Sequence, residues 1–111
     1  MVLSCQALLI YVNGNSAYGP VFTDLRSLQG MVGGDIECVR FGRYHAYVNA
    51  VGKLRGLEVN RRATLLALEL GLTADDVLVG DVVFLGEGAG GCEGDLPAEV
   101  VTTYMRLIGS D

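Results

Sequence analysis

Apolar residues occur in short blocks separated by glycine, asparagine and proline, and each block predicts one element of secondary structure. Residues 6–12 form an almost continuous apolar run, which is typical of a strand buried on both faces. A short extended segment is expected at 21–23. Residues 35–41 and 43–51 predict two strands joined tightly at Gly42, and the second shows the two-residue period of a strand.

The first helix is predicted after Asp24, whose carboxylate is a favourable N-cap. Leu25, Leu28 and Val32 then follow the spacing of an inward-facing helical stripe. We expect Gly33 to end this helix, because glycine adopts the left-handed conformation at a helix end without steric cost.

The second helix is predicted over residues 61–70, with Asn60 as its N-cap and Gly71 at its end. Beyond the first turn this segment is apolar on nearly every side, which favours a helix inside the core. We therefore expect Leu66 and Leu70 to be core residues.

The last third of the chain predicts strands, a loop and a final helix. Residues 77–79 and 82–85 are expected to form a strand pair or one bulged strand. A glycine-rich loop is predicted over residues 86–94, after which Asp95 should cap the last helix. The inward-facing residues of that helix are expected to be Val101, Tyr104 and Ile108.

The order of these elements predicts an α+β fold. We expect a single domain over residues 1–111, with a mostly antiparallel sheet packed against about three helices. Half of the residues are apolar and only 19% are charged, so a core can form and disorder is not expected.

The spacing of the cysteines and the lengths of the apolar runs predict in which cellular compartment the protein lies. Cys5, Cys38 and Cys92 form no Cys-x-x-Cys pair and leave an odd thiol, which suits a reducing compartment and argues against disulfides and a zinc site. The longest fully apolar run, 7–12, is far shorter than a transmembrane helix, and the first residues lack the basic start of a signal peptide. We therefore expect a cytoplasmic protein without a membrane partner.

Charge is segregated along the chain, although the net charge is only −5. Six of the eight Lys and Arg residues lie in the middle of the chain, at Arg40, Arg43, Lys53, Arg55, Arg61 and Arg62. The acidic balance argues against general nucleic-acid binding. Eight of the thirteen Asp and Glu residues lie between Glu69 and Glu99. Because one chain thus carries complementary basic and acidic regions, we predict a homo-oligomer, most simply a dimer.

The start of the second helix is a candidate anion site. The first N–H groups of a helix are unpaired and carry the positive end of its dipole, and guanidinium groups bind phosphate or carboxylate in a bidentate manner. We expect Asn60, Arg61 and Arg62 to form this site, with Lys53 or Arg55 contributing.

An internal ion pair is the alternative role for the two arginines. Positive charge in the first turn disfavours the helix, so a nearby acid such as Glu58 or Asp81 would compensate it in place of a ligand. The pattern alone leaves both alternatives open.

No residue pattern predicts catalysis, a metal or a cofactor. Residues 86–91 match Gly-x-Gly-x-x-Gly, but no βαβ unit follows, so a surface loop is the better interpretation. His45 is the single histidine, and no spacing supports its pairing with Cys38 or Cys92 as a nucleophile. We predict that the protein is not an enzyme.

Two segments resemble a known family. Residues 52–64 read Gly-Lys-Leu-x-Gly-Leu-x-x-Asn-Arg-Arg-Ala-Thr, and residues 79–83 read Val-Gly-Asp-Val-Val. They are similar to small proteins from phages, plasmids and actinobacteria that are classified only as a domain of unknown function. Residues 6–10 and 33–37 also fit, whereas 58–59 stand where the family often has a proline-containing dipeptide. The resemblance implies a mobile-element origin and no known enzyme activity.

Two functions from different classes follow from these observations. The first is a non-enzymatic accessory protein of a phage or mobile element that binds a host protein or associates with itself. The second is a protein that binds or sequesters a small phosphate-bearing ligand, such as a nucleotide, through Arg61, Arg62 and backbone amides.

Overall fold

The computed structural model describes residues 4–89 and 93–109. Six strands and three helices follow one another within these ranges. The strands are β1 (Ser4–Ile10), β2 (Ser16–Phe22), β3 (Ile36–Phe41), β4 (Tyr44–Asn49), β5 (Val82–Glu87) and β6 (Glu93–Gly94). The helices are α1 (Leu25–Val32), α2 (Arg61–Leu70) and α3 (Ala98–Gly109).

The described strands form one antiparallel sheet with the order β2-β1-β5-β4-β3, and β6 pairs with the end of β5. Two hairpins, β1–β2 and β3–β4, join strands that are neighbours in sequence. β5 lies between the hairpins, pairing Val83 with Leu9 of β1 and Leu85 with His45 of β4. The prediction of an α+β fold with a mostly antiparallel sheet and about three helices is therefore confirmed.

Helices cover both faces of the sheet. On one face, Leu8 and Phe84 of the sheet share a core with Leu66 of α2 and with α3. On the other face, Ala7 packs in a second cluster with Val32 of α1. Because β1 supplies Leu8 to one cluster and Ala7 to the other, the expected strand buried on both faces is confirmed.

Helix α1 has the predicted caps. A carboxylate oxygen of Asp24 accepts a hydrogen bond from Ser27 N at 3.1 Å, and Gly33 ends the helix with φ 79°. Leu25 was expected to face inward, but it is 59% exposed and that prediction is wrong. It belongs to the first turn, whereas the sheet is reached by later residues such as Met31 and Val32.

Helix α2 has the predicted bounds, cap and position. Its residues between Arg61 and Leu70 include the fully buried Leu66, which confirms a helix packed in the core. Leu70 is only half-buried at the margin of the same core. The prediction for Leu66 is confirmed, and Leu70 contributes less buried surface than expected.

Residues 77–79 do not pair with β5, so the predicted strand pair is wrong. Val79 instead forms an isolated antiparallel bridge with Val59. Gly80, with φ 74°, then turns the chain toward β5. A left-handed glycine breaks the extended backbone that one continuous strand would require.

The loop predicted over residues 86–94 is wrong at both ends, because β5 continues to Glu87 and β6 occupies Glu93–Gly94. The glycines serve close packing of backbones in this pair of strands. A β-carbon on Gly86 would lie 2.3 Å from Asp95 O, which no other residue type tolerates. Residues 90–92, including Cys92, lie outside the described residues.

Asp95 does not cap α3, which begins only at Ala98. Its Oδ1 accepts a hydrogen bond from Gln6 N at 2.7 Å, and Leu96 N donates to Gln6 O at 2.8 Å. The segment before α3 is therefore attached to β1. Of the predicted inward residues, Tyr104 is buried, while Val101 and Ile108 are half-buried against the core.

Candidate functional site

Asn60 has a structural role at the start of α2. Its Oδ1 accepts from Ala63 N at 3.1 Å, while its Nδ2 donates to Ile10 O at 2.8 Å and to Gly80 O at 2.9 Å. The residue is only 1% exposed. Both amide hydrogens are used, so a direct bond from this side chain to an external anion would break an internal one. Asn60 lines the cleft beside α2, and the role that these bonds give its side chain is to hold that cleft together.

Arg61 and Arg62 line a cleft of about 270 Å³ between the start of α2 and the turn that joins β1 to β2. Arg62 Nη1 donates to Gly14 O at 2.7 Å, so this guanidinium fixes the turn to the helix. Glu58 lines the same cleft. The structure thus brings the two arginines together with the backbone of the turn, beside the N-terminal end of α2.

Lys53 and Arg55 do not line that cleft. Lys53 Nζ lies 2.7 Å from Asp76 Oδ1, and this hydrogen bond lowers the pKa of Asp76 below its usual value. Arg55 lines a separate depression that also includes Asp81. Asp81 in turn accepts a hydrogen bond from Val12 N at 3.0 Å. The five predicted site residues are therefore distributed over three surface depressions.

A turn over residues 51–57 displays Leu54, which is 90% exposed. The turn is fixed by its own backbone, since Arg55 N donates to Val51 O at 2.9 Å and Leu57 N donates to Gly52 O at 2.9 Å. Of the large apolar side chains in the described residues, that of Leu54 is the most exposed. The Gly52 and Gly56 positions indicated a loop, but they gave no sign of what it displays.

Leu54 and Val77 line a depression of about 200 Å³ together with Val39 and Val48. We call Leu54, Val77 and this depression the Leu54 surface. Its margin carries charge, because Glu37 and the Lys53–Asp76 pair also line it. Sequence patterns did not reveal this surface, since its residues come from separate elements.

A polar cluster lies on the other face of the sheet, where the sequence showed only an isolated histidine. His45 Nε2 lies 2.6 Å from Glu93 Oε2, and His45 Nδ1 lies 3.5 Å from Glu87 Oε1. Tyr47 donates its hydroxyl hydrogen to Glu93, and Arg40 contacts Glu87. Four strands thus contribute side chains to one network.

This cluster holds the end of the sheet together. His45 is 1% exposed, so its ring is enclosed by the surrounding chain. Burial, the hydrogen bond to Glu93 and the charge of Glu93 raise the pKa of Tyr47 well above its usual value. Burial likewise raises the pKa of the Cys38 thiol, which therefore carries little thiolate at neutral pH.

No group of three or more His, Cys, Asp or Glu side chains is arranged to hold a metal ion in residues 4–89 and 93–109. None of the helices in the same ranges has the length and apolar character needed to cross a membrane.

The fold and these surfaces define a small α+β domain with an antiparallel sheet. The chain belongs to the family described as Domain of unknown function (DUF3846), whose model matches residues 6–109. No curated protein and no solved structure matches the chain. Membership agrees with the resemblance of the sequence to an uncharacterised family.

Proposed function

We propose that this protein is a non-enzymatic accessory protein of a phage or another mobile element, and that it acts by binding a host protein or a second copy of itself. The Leu54 surface carries the proposal. Burying a leucine side chain contributes about 1.5–3 kcal/mol, and Leu54 leaves almost all of that unused in the isolated chain.

The fixed geometry of the turn supports binding as its role. Hydrogen bonds within residues 51–57 and the Lys53–Asp76 pair hold the backbone that carries Leu54, so little backbone entropy is lost when a partner covers its side chain. An apolar centre with a charged margin is typical of protein interfaces. The resemblance to phage, plasmid and actinobacterial proteins supports the mobile-element origin.

A photo-crosslinking side chain at position 54 tests the proposal in cells that carry the gene. We expect a discrete protein adduct from position 54 and none from the exposed Thr102 of α3, which serves as the control. Excess wild-type protein should compete for the adduct, whereas the Leu54→Asp variant should not. A folded protein that gives no adduct at position 54, or equal competition by Leu54→Asp, would contradict the proposal.

A second candidate function is the binding of a small phosphate-bearing ligand in the cleft beside α2. The observation that favours it is the joint lining of this cleft by Arg61 and Arg62 at a helix N-terminus. Lys53 and Arg55 are not part of this version of the site, because they line other depressions.

Thermal melts with inorganic phosphate and with nucleotides test the second candidate. Phosphate should raise the melting temperature of the native protein and of Arg55→Ala, and Arg61→Ala should remove the increase. Arg62→Ala has an additional structural cost, because it releases Gly14. A native protein whose melting temperature does not respond to any of these anions would exclude the candidate.

A further inference from the structure

The two outer strands of the sheet differ in their free edges. In the turn that joins β1 to β2, Tyr11 N donates to Asn15 O at 2.9 Å, and bonded and non-bonded pairs alternate along the β1–β2 ladder from there. This alternation places Pro20 at a position that faces away from β1. Proline has no N–H, so the outer edge of β2 lacks a donor near its centre and is protected from pairing.

β3 has a complete outer edge. Ala50 N donates to Asp35 O at 2.8 Å, and the same alternation directs the backbone groups of Ile36, Cys38 and Arg40 away from β4. Among the described residues no strand pairs with this edge. Three consecutive outward positions are therefore able to donate and accept hydrogen bonds.

Charge along this edge favours one direction of pairing. Asp35 and Glu37 lie at its beginning, and Arg40 and Arg43 lie at its end, all on exposed positions. Arg40 also contacts Glu87 of its own chain. A second β3 in the antiparallel direction places acidic ends beside basic ends, whereas a parallel strand would align like charges.

The Leu54 surface adjoins the same edge. Glu37 and Val39 of β3 line its depression together with Leu54 and Val77. A strand that pairs with β3 therefore makes backbone hydrogen bonds and also covers apolar side chains, a combination that strand-addition complexes use for affinity and specificity.

We propose that two copies of this chain pair through β3, antiparallel and about a two-fold axis at Cys38, so that their sheets become continuous. This inference rests on the proposed protein-binding function and names a second copy as the partner. The outward positions must pair with outward positions, so Cys38 lies opposite Cys38 of the second copy, and Arg40 lies opposite its Ile36.

Disulfide formation tests the proposed register, in which Cys38 lies opposite Cys38 of the second copy. Directly opposed bonded residues have Cα atoms about 5.5 Å apart, which is within the range of about 4.4–6.8 Å for a disulfide. A cysteine moved to position 40 would be about 13 Å from its copy, four residues along the strand. Cys5 and Cys92 are replaced by Ala in both proteins, so that each has one cysteine.

We expect mild oxidation to link the Cys38 protein into covalent dimers at micromolar concentration. The matched control, Cys38→Ser with Arg40→Cys, should remain unlinked. Light scattering of the native protein should give the mass of a dimer. Cys38→Pro should give a monomer with the native circular dichroism spectrum, because it removes an outward N–H and leaves the ladder to β4 intact.

Three outcomes would overturn the inference: a monomer mass for the native protein, equal linkage of the two single-cysteine proteins, or a dimer mass without linkage at Cys38. If Cys38→Pro fails to fold, the linkage comparison still decides the question. An adduct of Leu54 with a different protein, found together with a monomer mass, would leave the protein-binding function intact while excluding the second copy.

Discussion

The side-chain amide of Asn60 donates to the backbone carbonyl of Ile10 at 2.8 Å, across 50 positions of sequence. The same amide donates to Gly80 O, and its oxygen caps α2. One buried side chain thus joins the end of β1, the start of α2 and the turn that leads to β5. An anion-binding residue would need a free donor, whereas this residue is fully engaged.

Asn60→Asp should therefore be strongly destabilising. The variant retains an oxygen to cap α2 but places a buried carboxylate against the carbonyl oxygens of Ile10 and Gly80, so we expect a loss of about 3–5 kcal/mol in unfolding free energy. Asn13→Asp is the matched control, because its side-chain oxygen only accepts from Asn15 N in an exposed turn. Urea denaturation showing equal losses for the two would contradict this role.

Gly86→Ala should destabilise the protein, because the new β-carbon would lie 2.3 Å from Asp95 O and the attached segment must move. We expect a loss of at least about 1–3 kcal/mol. Gly30→Ala is the control, because Gly30 lies within α1 and no atom lies within 4 Å of its β-carbon position. Since alanine favours a helix more than glycine does, this variant should gain about 1 kcal/mol in free energy of unfolding. In urea denaturation, Gly86→Ala should lower the free energy of unfolding and Gly30→Ala should raise it. A Gly86→Ala variant with an unchanged free energy of unfolding would contradict the close packing.

Truncating leucines should follow their burial. Leu66→Ala should cost about 2–5 kcal/mol, because Leu66 is fully buried between α2 and the sheet. Leu70→Ala should cost less, since its side chain is only half-buried, and Leu54→Ala should change the unfolding free energy by no more than about 0.5 kcal/mol. Chemical denaturation that ranks the three variants otherwise would show that α2 packs differently.

Tyr47 should make stability depend on pH at the alkaline end. The folded-state pKa of Tyr47 is raised, so the unfolded chain loses this proton first, at about pH 10. The contribution of Tyr47 is fully present below about pH 10 and decreases as the pH rises above it. Wild-type protein should therefore lose stability more steeply above that pH than Tyr47→Phe, in urea titrations at matched pH values. Parallel profiles for the two proteins would argue against the Tyr47–Glu93 contact.

Local sequence patterns predicted most of the fold. A helix cap depends only on residues within about one turn of the helix end, so the bounds of α1 and α2 could be predicted from the sequence. The N-caps are Asp24 and Asn60, and the residues that end the helices are Gly33 and Gly71. Leu25 was misjudged because helical spacing shows which residues share a side, whereas the extent of the neighbouring sheet decides which of them are covered.

The glycine-rich segment and the surfaces required tertiary information. Gly86 and Gly94 resembled a loop, yet their purpose is close approach between strands, and composition does not distinguish these roles. Likewise, Glu93 is 48 positions from His45, and Leu54 adjoins β3 only through the fold. The candidate anion residues at the start of α2 are neighbours in sequence. The side-chain amide of Asn60, however, donates both of its hydrogens to residues distant in sequence, which the local pattern did not show.

The order of strands in the sheet has a consequence for how the chain is made. Each of the two hairpins can form as soon as its own residues leave the ribosome, but β5 must be inserted between β1 and β4 to complete the sheet. Until residue 87 emerges, β1 and β4 each expose an unpaired inner edge that is rich in apolar side chains. A chain that ends before β5 would keep both inner edges unpaired and open to pairing with other chains, so the sheet is protected from aggregation only after β5 is inserted.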